Sequence, residues 1–446
     1  MLGVENKLLL KMKKKIRNKK VYVVLAADIL HKGHINILNK AASLGEITVG
    51  LLTDKAIASY KKIPLLNYSQ REIILKNLTM VKNTIPQQTL DHRPNLRKIK
   101  PDFVVHGDDW KKGILKKTRL QVINELKKWS GKLVEPPYTK NISSSQIKDK
   151  ILEAGNSPES RLSRLRRLIE AKKIVKIIES HNALTGLIIE NLKIFKNKKF
   201  LEFDGMWSSS LTDSTIRGKP DNQAVDYSTR ISGLGEILDV TTKPVIFDAD
   251  NGGRIEHIPY LIKSLERVGV SAIVIEDKIG LKKNSLFKNQ KGVKQDSIKN
   301  FCKKLKKAKQ SKISDDFFIV ARIESFILGK GVADAMKRAI AYSKAGADAI
   351  LIHSKEKKPN EIFAFSKKFQ KSKYSKLLIA VPSTYSKTYE RDLIKNGFKI
   401  VIYANHFLRA IHPAIKKVAK SILTNQRSFE TEKYIGSIQE ILTLIK

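Results

Sequence analysis

The sequence is short of cysteine, of acid and of long apolar stretches, and each shortage excludes something. A single cysteine, Cys302, leaves no intrachain disulfide to form, so the fold must rest on packing, as in proteins of a reducing compartment. Its surroundings, Asn300-Phe301-Cys302-Lys303 in a helix-like pattern, mark it as a packing residue and not a nucleophile. No apolar run reaches the ~20 residues of a membrane span. Leu8-Leu9-Leu10 is too short a core for a secretory signal. Residues 1–20 therefore read as a basic tail, and the chain as a cytoplasmic protein with no membrane partner. Asp and Glu total 43 against 86 Lys and Arg, a net charge of +43. Such an excess admits a nucleic-acid partner. The lysines are spread along polar helix faces, as in Lys303-Lys304-Leu305-Lys306-Lys307, with no stacking platform beside them, which favours a basic surface that attracts small anions.

What is present is enough for two domains: 446 residues, 41% of them hydrophobic. Val21 to Ala27 is a β-branched run closed by Asp28, a helical pattern follows from Lys32, and Glu46 to Leu52 reads as a second strand, so the opening is βαβ with a parallel sheet. Strands are predicted at 80–85, 103–106 and 132–134, and helices at 69–79, 118–129 and 143–152. Ala154-Gly155-Asn156-Ser157-Pro158-Glu159 combines chain breakers with a helix start. We place the domains at 21–153 and 161–446, joined by a linker at 154–160. In the second domain helices are predicted at 161–180 and 185–192. Strands at 199–203, 245–247, 272–275, 317–321, 347–352, 377–380 and 400–403 alternate with helices, the pattern of a (β/α)₈ barrel following a Rossmann-like unit.

Chemistry concentrates where strands end. In the first domain His31-Lys32-Gly33-His34 sits at a strand-to-helix turn, where a glycine allows close approach and a helix N-terminus offers amides to phosphate. Asp28 precedes it, and Tyr68-Ser69-Gln70-Arg71 and His106-Gly107-Asp108-Asp109-Trp110 follow. In the second domain one strand ends in Asp248-Ala249-Asp250, the next in Glu276-Asp277-Lys278 and a third in Arg322. Asp248, Asp250 and Glu276 at neighbouring tips suit Mg²⁺, a hard cation that takes oxygen ligands and keeps water. Arg322 would serve as an anion clamp.

The first set resembles the glycerol-phosphate-type cytidylyltransferases. That resemblance implies CTP and a phosphate or phosphonate acceptor as partners, with Asp28, His31, His34, Arg71, Asp108, Trp110, Ser143 and Ser144 about the nucleotide. The sequence departs from the family at Leu25-Ala26-Ala27 and at Tyr138-Thr139-Lys140-Asn141-Ile142-Ser143-Ser144. The alternative is a degenerate domain kept for assembly.

The second set extends from Glu179-Ser180-His181-Asn182 through Gly205-Met206-Trp207, Asn284-Ser285-Leu286 and Ala321-Arg322-Ile323-Glu324-Ser325-Phe326 to His353-Ser354-Lys355. It resembles the phosphoenolpyruvate mutase branch of the isocitrate lyase superfamily. The resemblance implies that Asp248 anchors Mg²⁺ with help from Asp250 and Glu276. Trp207 and Ser209 would hold the carboxylate and enol face of the substrate, and Arg322 its phosphoryl or carboxylate end. Lys282, Asn284 and Ser285 would arrive on a closing loop, Asp221 would sit in a second gate, and His353 would orient the cluster. The implied reaction interconverts phosphoenolpyruvate and phosphonopyruvate in a homo-oligomeric enzyme, a dimer or tetramer. Phosphonopyruvate hydrolase shares this framework and remains an alternative. Isocitrate-type lyases carry a Lys-Cys-Gly-His loop that this sequence does not contain. Ser208 and Ser210 stand where the family has glycines.

Overall fold

The computed structural model describes residues 19–111, 113–137, 157–196, 199–280, 282–285, 290 and 292–445. Ser143, Ser144 and the predicted helix 143–152 lie outside them. The chain divides into two compact units.

The N-terminal unit is a five-stranded parallel sheet of β1 (Lys20–Leu25), β2 (Glu46–Leu52), β3 (Val81–Gln87), β4 (Phe103–Val105) and β5 (Lys132–Val134), in the order β3-β2-β1-β4-β5. Strand order reverses between β1 and β4, and ligands of such sheets bind beyond the carboxyl ends at that point. Residues 26–34 follow β1 and residues 106–110 follow β4, so the topology carries both predicted motifs to that edge. Burial on both faces explains the near-continuous apolar runs: Val21, Val23 and Leu25 pack in one layer, Tyr22 and Val24 in the other.

The second unit is a closed eight-stranded parallel barrel. Its strands are β6 (Val175–Glu179), β9 (Gly205–Ser208), β10 (Val245–Asp248), β11 (Ala272–Glu276), β14 (Phe318–Ile323), β15 (Ala349–Ile352), β16 (Leu377–Ala380) and β17 (Phe398–Tyr403). Two short antiparallel pairs are separate sheets: β12 (Lys278–Ile279) with β13 (Lys294–Gln295), and β7 (Ile194–Lys196) with β8 (Lys199–Leu201), a hairpin that groups with the first unit.

Two expectations fail here. The helix predicted over 161–180 runs only from Pro158 to Ala171, and Val175–Glu179 is a barrel strand. The strand predicted at 199–203 is the second arm of the β7–β8 hairpin, while the barrel strand is the four-residue β9, held between β6 and β10. The long helix His406–Asn425 has no buried residue and exposes Ile415, Ile422 and Leu423. Among the described residues no helix is long and apolar enough to cross a membrane.

Candidate active site at the barrel mouth

Parallel strands in register put their C-terminal residues on one rim, and that rim holds the chemistry. Glu276 and Arg322 are register partners on β11 and β14, so their side chains meet, with Nη2 3.7 Å from Oε2. Asp248 closes β10. Asp250, two residues on, has a left-handed backbone (φ 50°) and is followed by Gly252 and Gly253 at φ 77° and 68°. A left-handed aspartate costs about 1–2 kcal/mol. The bend holds Asp250 against the rim: its N–H donates to Asp248 Oδ1 (3.2 Å) and its carbonyl accepts from Glu276 N (2.7 Å).

A cavity of about 60 Å³ opens there, lined by Trp207, Ser209, Ser210, Asp248, Lys282, Asn284, Ser285, Arg322 and His353, with Leu211, Leu351, Val381, Ser383, Ala404 and Asn405. A water centre needs roughly 10–15 Å³, so the space has room for several waters. Two loops clasp each other beside it. Lys282 Nζ reaches Asp221 Oδ1 at 2.9 Å and Asn284 Nδ2 donates to Asp221 Oδ2 at 2.7 Å. Lys282 also pairs with Asp250 and donates to Ser210 Oγ. Ser285 is built into an ionic lattice: its hydroxyl accepts from Lys278 Nζ (2.8 Å) and Arg322 Nη2 (2.9 Å) and donates to Glu324 Oε2 (2.7 Å).

Charge is balanced within the rim. Burial works against ionised Asp248, but Lys282, Arg322, Arg230 and the Ser210 hydroxyl outweigh it and hold its pKa near 2. Burial dominates at Glu276 and pushes it up to about 7, despite Lys278 and Arg322. Burial also opposes charge on Lys282, which Asp250, Asp248, Asp221 and Glu276 overcome, raising its pKa. Burial and then the Arg322 charge push His353 down to about 3. That imidazole is neutral at working pH, and its Nδ1 makes no hydrogen bond.

Asp248, Asp250 and Glu276 were expected to form one metal-ligand set. Among the described residues no three His, Cys, Asp or Glu side chains are arranged as such a set. Two of the acids are instead matched to cations of the chain: Asp250 to Lys282 and, at 3.7 Å, Arg230; Glu276 to Lys278 at 3.6 Å and to Arg322. The donor chemistry still suits a hard cation. Asp248 takes hydrogen bonds from Ser210 Oγ (2.8 Å) and Asp250 N, both uncharged groups, and the buried Glu276 Oε2 accepts no hydrogen bond.

Sequence reasoning noted Ser210 only as a departure from the family's glycine, and missed Arg230, Lys278, Glu324, Ser383 and Asn405. Lys278 and Glu324 lie inside motifs that were recognised. Arg230 gave no signal, because it sits within the helix Tyr227–Asp239 and only the fold turns it inward, onto Asp213 Oδ2 (2.9 Å) and the Asp248 carbonyl (2.6 Å).

In the N-terminal unit His31 caps the helix Lys32–Ala42, its Nδ1 accepting from Gly33 N at 3.1 Å, and its ring lies 4.0 Å from that of His34. Burial lowers both pKa values, that of His34 to about 4 with further help from His31. The pair can therefore act as neutral hydrogen-bonding groups at pH 7. Asp28 Oδ1 accepts from Leu65 N and Leu66 N at 2.6 and 3.2 Å and so ties down a loop. Trp110 is buried, stacked on His106 at 3.9 Å, and donates to Glu135 at 2.7 Å. Asp108 begins the short turn that contains it.

Arg71 departs from its expected place at a phosphate. It is fully buried and spends its donors on the Ala26, Leu52 and Leu66 carbonyls and on Asp54 at 2.7 Å. A guanidinium so engaged holds the β1 and β2 ends together.

Comparison with known proteins agrees with both halves. Residues 165–423 match the family model described as phosphoenolpyruvate phosphomutase, and residues 26–150 the one described as cytidylyltransferase-like. The chain is 34% identical over 289 residues to phosphoenolpyruvate phosphomutase of Tetrahymena pyriformis, covering 65% of this chain and 92% of the relative. It is 33% identical over 285 residues to phosphonopyruvate hydrolase of a Variovorax species, covering 63% and 93%. A solved phosphonopyruvate hydrolase complex with oxalate and Mg²⁺ superposes with a TM-score of 0.56 at 30% identity, covering 64% of this chain and 94% of that one.

Proposed function

Because the chain belongs to the phosphoenolpyruvate phosphomutase family and carries an N-terminal cytidylyltransferase-like domain, we propose that its barrel interconverts phosphoenolpyruvate and phosphonopyruvate. The observation that carries this is the double clasp of Lys282 and Asn284 on Asp221 beside a cavity lined by Asp248 and Arg322. Phosphoryl transfer runs through a loose, metaphosphate-like state that water destroys, so a site of this kind needs fixed cations and a closed cover.

In the mechanism we propose, the P–C bond of phosphonopyruvate breaks with its electron pair passing to the methylene carbon and on to the enolate oxygen, which then captures the phosphoryl group. Arg322, held by Glu324 and Ser285, faces the phosphoryl oxygens. Lys282 and Asn284 line the path and exclude water, while Trp207 and Ser209 bound the substrate's carboxylate end. Neutral His353 offers hydrogen bonding without a proton to donate as an imidazolium. Asp248, with Asp250 and Glu276, would hold Mg²⁺, which when bound supplies positive charge to the substrate's carboxylate and enolate oxygens. Phosphorus NMR of the full chain with phosphonopyruvate and Mg²⁺ tests the reading: phosphoenolpyruvate is the expected product, and phosphate alone would assign a hydrolase instead.

A proton competes for Glu276. With its pKa near 7 in the metal-free protein, the carboxylate is mostly protonated at pH 6 and mostly ionised at pH 8. Mg²⁺ affinity measured by calorimetry should therefore weaken about tenfold from pH 8 to pH 6. A pH-independent affinity would remove Glu276 from the site.

For the N-terminal unit we propose transfer of CMP from CTP to a phosphate or phosphonate, with His31 and His34 as preorganised donors to the α-phosphate. Ser143 and Ser144 would belong to the same nucleotide site. Pyrophosphate release from CTP in the presence of such acceptors is the measurement. The exposed apolar residues of His406–Asn425 support assembly of the barrel as a homo-oligomer.

A further inference from the structure

We propose that Ser210 is a positioning residue that latches the closing loop to the rim aspartate and so limits the loss of the phosphoryl group to water; the inference rests on the mutase reading above. Ser210 follows β9 and is 3% exposed. Its Oγ donates to Asp248 Oδ2 at 2.8 Å, its N–H lies 3.4 Å from the same oxygen, and its Oγ accepts from Lys282 Nζ. One hydroxyl thus joins the end of β9, the end of β10 and the loop bearing Lys282. That loop is fastened in turn to Asp221.

The chemistry of the bridge is specific. A hydroxyl can donate to a carboxylate and accept from an ammonium at the same moment. Glycine or alanine can do neither. Without the hydroxyl, Lys282 keeps its ion pairs with Asp221 and Asp250, which attract without fixing direction, while the deleted group leaves space beside Asp248 for a water. A water there has a route to phosphorus. Its oxygen bonds to phosphorus as the P–C bond breaks, and the electron pair stays on the methylene carbon. The resulting enolate takes one proton to become pyruvate, and phosphate retains the water oxygen.

The test uses the full chain with Ser210→Gly and Ser210→Ala. Phosphorus NMR of phosphonopyruvate turnover with Mg²⁺ gives the ratio of phosphate to phosphoenolpyruvate. Tryptic cleavage after Lys282 and Lys283 in the metal-free protein gives loop opening without turnover. Both should rise, the ratio about tenfold, which corresponds to ~1.4 kcal/mol between the two fates. Ser210→Ala, which keeps the helix start, guards against a folding defect of the glycine variant. Unchanged cleavage overturns the latch. Faster cleavage with an unchanged ratio overturns the link to water. If the wild type forms no phosphoenolpyruvate, the mutase reading fails and the proteolysis alone decides whether Ser210 holds the loop.

Discussion

Asp248→Asn folds as the wild type does and loses at least about 10³-fold in phosphonopyruvate turnover. The reasoning begins with shape. Asparagine fills the same volume on β10, its one amide oxygen can still accept from Asp250 N, and its amide nitrogen can donate to the Ser210 hydroxyl in place of the bond that Asp248 Oδ2 accepts. What disappears is a charge held fully ionised by Lys282, Arg322 and Arg230 against the cost of burial. Losing one preorganised electrostatic group in a dry site costs about 10²–10³ in rate. Loss of the acid we assign to the cation adds to that. The matching measurement is the initial rate by phosphorus NMR beside a melting curve, with Mg²⁺ binding followed by calorimetry. A variant that keeps activity within tenfold and binds Mg²⁺ normally would move the site away from β10.

Most of this geometry was legible because barrel strands announce themselves. Buried on both faces, they read as short apolar β-branched runs, and the polar residue that ends each run lies on the rim by construction. Asp248, Glu276 and Arg322 could be assigned from that alone. Two strands escaped. Val175–Glu179 follows closely on the helix Pro158–Ala171, and its apolar residues continued that helix's spacing. Gly205–Ser208 is only four residues long and opens with a glycine, so the nearby Lys199–Leu201 looked more strand-like.

The partners of individual side chains were less legible, for a different reason. Arg71 was expected at a phosphate because Tyr68-Ser69-Gln70-Arg71 belongs to the motif set that resembles the cytidylyltransferases, and the carbonyls that hold it come from three separated segments. Lys282 was placed on a moving loop. That its ammonium pairs with the rim acids depends on Asp221, sixty-one residues earlier, meeting it in space, which no local pattern encodes.

Arg322→Ala should fail in a way that Asp248→Asn does not, and pH should expose the difference. The guanidinium donates through Nε to Glu324 Oε1 (2.6 Å) and through Nη2 to Ser285 Oγ (2.9 Å), and it stands 3.7 Å from Glu276. Its side chain is 14% exposed. Removing one partner of a buried charge network leaves the others uncompensated, at about 3–5 kcal/mol. Activity should vanish along with the phosphoryl clamp. In the wild type burial opposes ionisation of Glu324, but Arg322 and then Lys278 overcome it and depress its pKa. A depressed carboxylate contributes stability above its unfolded pKa that is lost as pH falls through the folded value. Without Arg322 the sign reverses. Glu324 and Glu276 are left with Lys278 between them, both pKa values rise, and stability is then greatest when the carboxyls are protonated and declines as pH rises through the raised values. The melting deficit of Arg322→Ala relative to wild type should therefore be largest near pH 8 and shrink toward pH 5. Arg322→Lys keeps a charge without the planar fork, and should recover much of the stability but little of the turnover. A deficit that stays constant across that range would mean that Glu276 and Glu324 do not depend on Arg322 for their charge.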